Sequence, residues 1–431
     1  MQSHDHSYIW HPFTQMADFK GATSIVKGEG VWLTDKFGNR YLDAVSSWWV
    51  NLFGHSNPVI AEAIAKQSAQ MEHVMFDTFT HSPAVDLAKL LIDQLGEPFA
   101  KVFYSDNGST AVEVALKMAI QYWFNKNEEK PLIIAFNSAY HGDTFGSMSV
   151  GGRNIFNRAY EPFLFDVKHI EPPIHNPDNS ISQLEQLIEA NKGKIAAFIF
   201  EPLVMGAAGM QMYAPEHLDK LIGLAKENNI ICIADEVMTG FGRTGKFFAI
   251  DYLKNKPDII ALSKGITGGF MPFGATLCSK KIFNAFLSNP SDGFVKTFFH
   301  GHSYTGNPIA CAAAVASFSL LKLPKTWDHI AMINSLHKAF AEQLRFNKKV
   351  ERVEVTGTIL AVRLKSDNSG YLNPLREKIY PFFLSRKIIL RPLGNVIYVL
   401  PPYVINEQEL SLVYEAIEEF IDSEITENNG Y

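Results

Sequence analysis

Two charged residues end apolar runs in this chain. Asp235 closes IICIA and Lys264 follows IIALS, 29 positions later. Continuous β-branched runs of this kind fit strands buried on both faces. A charge at the end of such a strand is costly without a partner, and ligands of open α/β sheets bind at the carboxyl ends of strands. An acid placed there can hold a ring nitrogen protonated through a charge-assisted hydrogen bond. Val237, two residues on, would face the same ring. An amine in apolar surroundings has a lowered pKa, which suits imine formation. Ser263, Gly265, Gly268 and Gly269 leave room beside it. The plainer readings are an ion pair or a metal ligand for Asp235 and a snorkelling surface lysine for Lys264.

Two further stretches fit the same chemistry. In YSDNGSTAVEVALK (104–117) a strand ends and Asn107-Gly108-Ser109-Thr110 opens a helix. Free N–H groups and the helix dipole make such a turn an anion site, with Gly108 allowing close approach and Ser109 or Thr110 adding a hydroxyl. A plain capping box from Thr110 to Glu113 competes with that reading. The stretch lacks GxxxxGK[ST], so a nucleoside triphosphate is not expected. In NSAYHGDTFGSMSVGG (137–152), Tyr140 follows a strand, where an aromatic could stack on a planar ligand or be an ordinary loop residue. Together the parts describe an aldehyde-bearing pyridine with a phosphate, pyridoxal 5'-phosphate: phosphate on the glycine turn, ring on Tyr140, ring nitrogen on Asp235, Schiff base on Lys264. Gly240–Gly245 matches GxGxxG. A dinucleotide site, and with it an NAD(P)-dependent oxidoreductase, would need a helix opening there and an acid about 20 residues on. The sequence runs on as KFFAIDYL without a clear helix.

The elements that must hold these residues follow from the pattern. The 431 residues are 47% hydrophobic and 19% charged, enough for a large core. A net charge of −6 with no basic block argues against nucleic acid and anionic membrane as partners. The first residues show no apolar signal region, no run reaches 18 apolar residues, and IACAAAVASFSLL (309–321) reads as a buried helix. Cys232, Cys278 and Cys311 are scattered in apolar contexts, which fits a reducing cytoplasm. Strand and helix alternate from about residue 100, giving βαβ crossovers and a mostly parallel sheet in an α/β fold. GVWLTDKFGNRYLD reads as a hairpin. The expected organisation is a large domain over 61–321 and a smaller α+β domain made from 1–60 and 322–431. No metal site is expected. His4 and His6 sit in an N-terminus expected to be loose, His300 and His302 lack a third ligand, and the tail ITENNGY is expected to fray.

EPLVMGAAGM, ADEVMTGFGRTG and FHGHSYTGNPIACAAA, with the Asp235/Lys264 pair, resemble the class III (ω-type) PLP aminotransferases over nearly the whole chain. Within the class, IWHPFTQM, SSWWVN, YHGDTFGSMSVG and LRPLGNVIYVLPPY resemble the branch that aminates 8-amino-7-oxononanoate in biotin biosynthesis. The resemblance implies fold type I and a homodimer with shared active sites. It implies that Gly108 and Ser109 hold the cofactor phosphate, that Tyr140 faces the ring and the substrate, and that Asp235 and Lys264 hold the ring nitrogen and the aldehyde carbon. His302 and Ser303 would reach the cofactor phosphate of the other subunit. Gly301 would touch substrate through its backbone. Trp48 would wall the substrate pocket and Arg391 would take the keto acid's carboxylate; core packing and a surface ion pair are the plain alternatives for these two. Phe13 stands where many members have a tyrosine that helps bind the amino donor S-adenosylmethionine, and a phenylalanine there goes with relatives that use lysine. Other members act on ornithine, 4-aminobutyrate or an acylated ornithine; SSWW and WHPFTQM speak against those substrates.

Overall fold

The computed structural model describes residues 2–19, 21–366 and 373–425, so all but the first residue of the tail expected to fray lies outside the described residues. A seven-stranded sheet forms its centre, in the order Phe99–Ser105, Gly274–Ser279, Ile259–Leu262, Ile231–Asp235, Ile195–Phe200, Leu132–Phe136, Lys168–Ile170. Strand Gly274–Ser279 runs antiparallel to both neighbours, and the other pairs are parallel. The two runs that end in charges are adjacent central strands in register, with Asp235 opposite Ala261. Alternate residues pack on opposite faces. Cys232, Ala234, Ile260 and Leu262 join one apolar cluster, and Ile231, Ile233, Ile259 and Ala261 join the other, beneath helix Gly108–Asn125. This double burial is why the runs are continuous rather than alternating. It also brings Asp235 and Lys264 out at the same sheet edge.

The chain's two ends share a second sheet. Strands Ile25–Glu29, Trp32–Asp35 and Arg40–Asp43 are antiparallel neighbours, and Ile388–Ile389 adds in parallel to Arg40–Asp43. The expected hairpin turns on Asp35, whose Oδ1 accepts the N–H groups of Phe37 and Asn39, each at 2.9 Å. A third antiparallel sheet joins Val350–Thr356, Ile359–Leu364 and Val396–Val399. Helix Pro308–Leu321 is a core helix: Ala310, Cys311, Ala313 and Ala314 are at most 2% exposed. No single described helix is long and apolar enough to cross a membrane. The N-terminus departs from expectation. Gln2–Tyr8 is helical, with Asp5 in its first turn, and the Asp5 carboxylate meets His11 Nε2 at 3.0 Å. Residues 240–245 form turns, and the next helical piece is the four-residue 3-10 turn Ala249–Tyr252, so no dinucleotide-binding helix opens there.

Candidate active site

Lys264 begins a short 3-10 turn directly after its strand and sits at φ +44°, a left-handed conformation rare for a lysine. Ser263 fixes the entry, its hydroxyl donating to the Phe273 carbonyl at 2.6 Å. Burial lowers the Lys264 pKa, and the nearby Asp235 and Glu201 carboxylates oppose the shift without cancelling it. The ammonium nitrogen lies 4.8 Å from the centre of the Trp49 ring. Asp235 is 6% exposed. One of its oxygens meets His141 Nδ1 at 2.7 Å, and the other accepts the Val237 N–H at 3.0 Å. The carboxylate is therefore oriented from two sides. His141 Nε2 is buried without a partner among the described residues.

The turn at residues 107–110 is built for close approach. Helix Gly108–Asn125 is capped by Asn107, which accepts from Thr110 N at 3.0 Å, while Thr110 Oγ1 accepts from Asn107 N at 3.1 Å. The helix thus starts before Thr110, and the capping box runs from Asn107 to Thr110 rather than from Thr110 to Glu113. Glu113 instead accepts from Gly146 N at 2.7 Å and Ser147 N at 3.0 Å, capping the next helix, Phe145–Val150. A Cβ on Gly108 would fall 2.7 Å from Val237 Cγ1, and one on Gly142, at φ +130°, would fall 2.0 Å from Ser109 Oγ. Neither position admits a side chain without displacing the wall.

Tyr140 enters the cavity with its N–H donated to Glu201 Oε1 at 3.1 Å, and Glu201 Oε2 accepts from Gly206 N at 3.0 Å. Burial first, then the charge of Asp143, raises the Tyr140 hydroxyl pKa, so the phenol stays protonated. Burial and the Asp235 charge outweigh His141 and the two N–H donors at Glu201, whose pKa is pushed up to about 7.

Gly108, Ser109, Tyr140, Asp235, Val237 and Lys264 line one cavity of about 620 Å³. Trp49, His141 and Glu201 line it too. From sequence these three have no assigned role, and His141 reads at most as an ordinary loop residue. Glu201 carries the signal that exposed Asp235, an acid directly after a buried apolar strand. Trp49 stood beside Trp48 in SSWW. It is the buried member of the pair at 6% exposed, its Nε1 3.0 Å from the Tyr398 hydroxyl, whereas Trp48 is 37% exposed. Phe13, Trp48 and Arg391 lie outside the cavity lining but meet one another. The Phe13 and Trp48 rings stand edge to face at 5.7 Å, and the Arg391 guanidinium lies 3.8 Å from the Trp48 ring and 5.6 Å from that of Phe13. Gly301, His302 and Ser303 do not line the cavity. They lie in the turn before helix Pro308–Leu321, where His302 N donates to Thr305 Oγ1 at 3.0 Å and His302 Nδ1 accepts from Tyr304 N at 3.2 Å.

The donor set fits a pyridoxal phosphate. It offers a glycine turn at a helix N-terminus, a buried and oriented carboxylate, an aromatic residue, and an amine of lowered pKa in the same cavity.

The family model for class-III aminotransferases matches residues 16–421. The adenosylmethionine-8-amino-7-oxononanoate aminotransferase of Synechococcus elongatus is 46% identical over 98% of this chain and 100% of its own length. The solved structure of the enzyme of that name from Methanocaldococcus jannaschii superposes with a TM-score of 0.91 at 38% identity, covering 97% of this chain and 98% of that one. An amine transaminase from an uncultivated Pseudomonas species, solved in its PLP-bound form, gives 0.89 at 31% identity, over 95% and 97% of the two chains. With a family match over residues 16–421 and a relative 46% identical over nearly the whole chain, the chain belongs to the class III aminotransferases, which are pyridoxal-phosphate-dependent enzymes.

Proposed function

We propose that this enzyme transfers an amino group to 8-amino-7-oxononanoate, forming 7,8-diaminononanoate in biotin biosynthesis, with S-adenosylmethionine as the amino donor. The carrying observation is the Arg391–Trp48–Phe13 cluster, a fork for a carboxylate with aromatic walls for a long apolar chain, joined to the cavity through Trp49, the sequence neighbour of Trp48 whose ring faces Lys264. The names of the relatives support the same substrate.

When bound, the cofactor supplies an aldehyde that captures an amine and a ring that draws electrons from the adjacent carbon. Gly108 and Ser109 hold its phosphate, with His302 and Ser303 of the second subunit of a homodimer, and Gly301 contributes backbone to the substrate. Asp235, fixed by His141 and the Val237 N–H, keeps a proton on the ring nitrogen. Val237 and Tyr140, which line the same cavity, would hold the ring. Lys264 Nζ, whose lowered pKa leaves a larger neutral fraction, moves the proton at the substrate carbon. Arg391 holds the carboxylate far from the reacting amine. The division into 61–321 and a smaller domain of 1–60 with 322–431 rests on the parallel pairing of Ile388–Ile389 with Arg40–Asp43. A cytoplasmic location goes with this biosynthetic role.

Phe13 supports lysine as the second candidate donor, because it offers no hydroxyl to hydrogen-bond S-adenosylmethionine. The test supplies the holoenzyme with 8-amino-7-oxononanoate and either donor and measures the diamine by mass spectrometry. Product with S-adenosylmethionine is expected. Product with lysine alone moves the donor assignment, and no product with either removes the keto acid as substrate.

A further inference from the structure

We infer that Asp43, held by His55, is the positioning residue that sets the substrate wall of this site; the inference rests on the function proposed above. Asp43 ends the strand Arg40–Asp43 and is 0% exposed. No step of the transamination uses it, yet a fully buried carboxylate is costly unless its oxygens are filled. Its side-chain hydrogen bonds go to Val45, Ser47 and His55, around the segment that carries Trp48 and Trp49, and the buried Arg243 guanidinium adds an electrostatic partner. Oδ1 accepts the Val45 N–H at 3.1 Å, and Oδ2 accepts the Ser47 N–H at 2.7 Å and the Ser47 hydroxyl at 3.2 Å. His55 Nε2 meets Oδ2 at 3.0 Å, and the Asn51 amide nitrogen lies 3.3 Å from His55 Nδ1. With Nδ1 accepting from Asn51, Nε2 carries the proton and donates to Asp43.

The segment needs such a hold. Ser46, Ser47 and Trp49 have φ of +52°, +62° and +70°. Left-handed conformations at three of four consecutive non-glycine residues persist only where the surroundings over-determine them. The strained turn has a product: it sends consecutive tryptophans to different places. Trp49 goes inward, to Lys264 and Tyr398, and Trp48 goes outward, to Phe13 and Arg391. Asp43 is also tied to the other half of the substrate cluster. It pairs in register with Ile389, two residues before Arg391, and Ala44 N donates to the Ile389 carbonyl at 3.2 Å. The carboxylate of Asp43 therefore holds the turn that carries the indoles, while its backbone holds the strand leading to the guanidinium, so one residue joins the two.

The test is Asp43→Asn, which keeps size but turns an NH2 toward either the Val45 N–H or the N–H groups of Ser47 and His55. His55→Gln is the second variant, leaving Asp43 intact and removing only its clamp. Both are studied as holoenzymes. The expected result is a KM for the keto acid raised about tenfold or more by Asp43→Asn, less by His55→Gln, with kcat within about threefold of wild type. Cofactor absorbance and loading should match wild type, since the phosphate turn and Asp235 are untouched. A crystal structure of either variant should show Ser47 or Trp49 out of the left-handed region and Trp48 displaced from Arg391. An unchanged turn, or an unchanged KM in both variants, overturns the inference, as does an equal fall of kcat and cofactor loading. A wild-type enzyme that rejects the keto acid refutes the proposed substrate instead, and the backbone angles still decide the role of Asp43.

Discussion

Glu201 gives the sharpest consequence of the site's electrostatics. In the folded protein its pKa is pushed up from 4.5 to about 7, first by burial and then by Asp235. Because the folded value is raised, the native state keeps a proton that the unfolded chain has already lost between those two pH values. Stability therefore falls as pH rises through that window, is fully present below it, and levels off above about pH 7. At about 1.4 kcal/mol per pH unit the gap amounts to about 3 kcal/mol from this one group. Glu201→Gln keeps the shape and cannot ionise, at a fixed cost of about 1 kcal/mol where its NH2 faces the N–H of Tyr140 or Gly206. The assay is the difference in unfolding free energy between the two cofactor-free proteins, from denaturant melts at about pH 5 and about pH 8. Titrations of groups that do not feel the Glu201 charge are shared and cancel. The expected difference moves by up to about 3 kcal/mol in favour of the glutamine variant on going from the lower to the higher pH. A difference that stays constant would refute the raised pKa of Glu201.

Three other variants probe separate parts of the site. Arg391→Ala should raise KM for the keto acid about tenfold to a hundredfold, the worth of a charge-assisted pair, with little change in cofactor binding; steady-state kinetics and cofactor absorbance check this. Asp235→Asn should still bind the cofactor but slow the half-reaction at least about a hundredfold, read by single-turnover absorbance; an unchanged rate would remove its role at the ring nitrogen. Phe13→Tyr should raise kcat/KM for S-adenosylmethionine relative to lysine by about threefold to tenfold, one neutral hydrogen bond, measured by parallel donor assays.

Much of this site was legible because two buried strands announced themselves as unbroken apolar runs, and whatever charge followed them had to surface at the sheet edge. That logic located Asp235 and Lys264, and applied once more to IAAFIF it would have located Glu201. It could not separate Trp48 from Trp49, because the left-handed turn at Ser46, Ser47 and Trp49 breaks every regular periodicity. Thr110 and Glu113 had the spacing of a capping box, but Asn107 took the cap and Glu113 served a neighbouring helix, a tertiary contact no local pattern contains. The N-terminal helix escaped notice because QSHDHSY has no apolar periodicity. Phe13, Trp48 and Arg391 were joined through resemblance alone. Their meeting depends on the strand pairing that closes the chain's two ends together.

The account stands on Lys264 as the amine that captures the cofactor. Borohydride reduction of the holoenzyme, followed by digestion and mass spectrometry, tests this without any substrate. A pyridoxyl group on Lys264 is the expected result, lost together with cofactor absorbance in Lys264→Ala. The label on another lysine, or none at all, would contradict it.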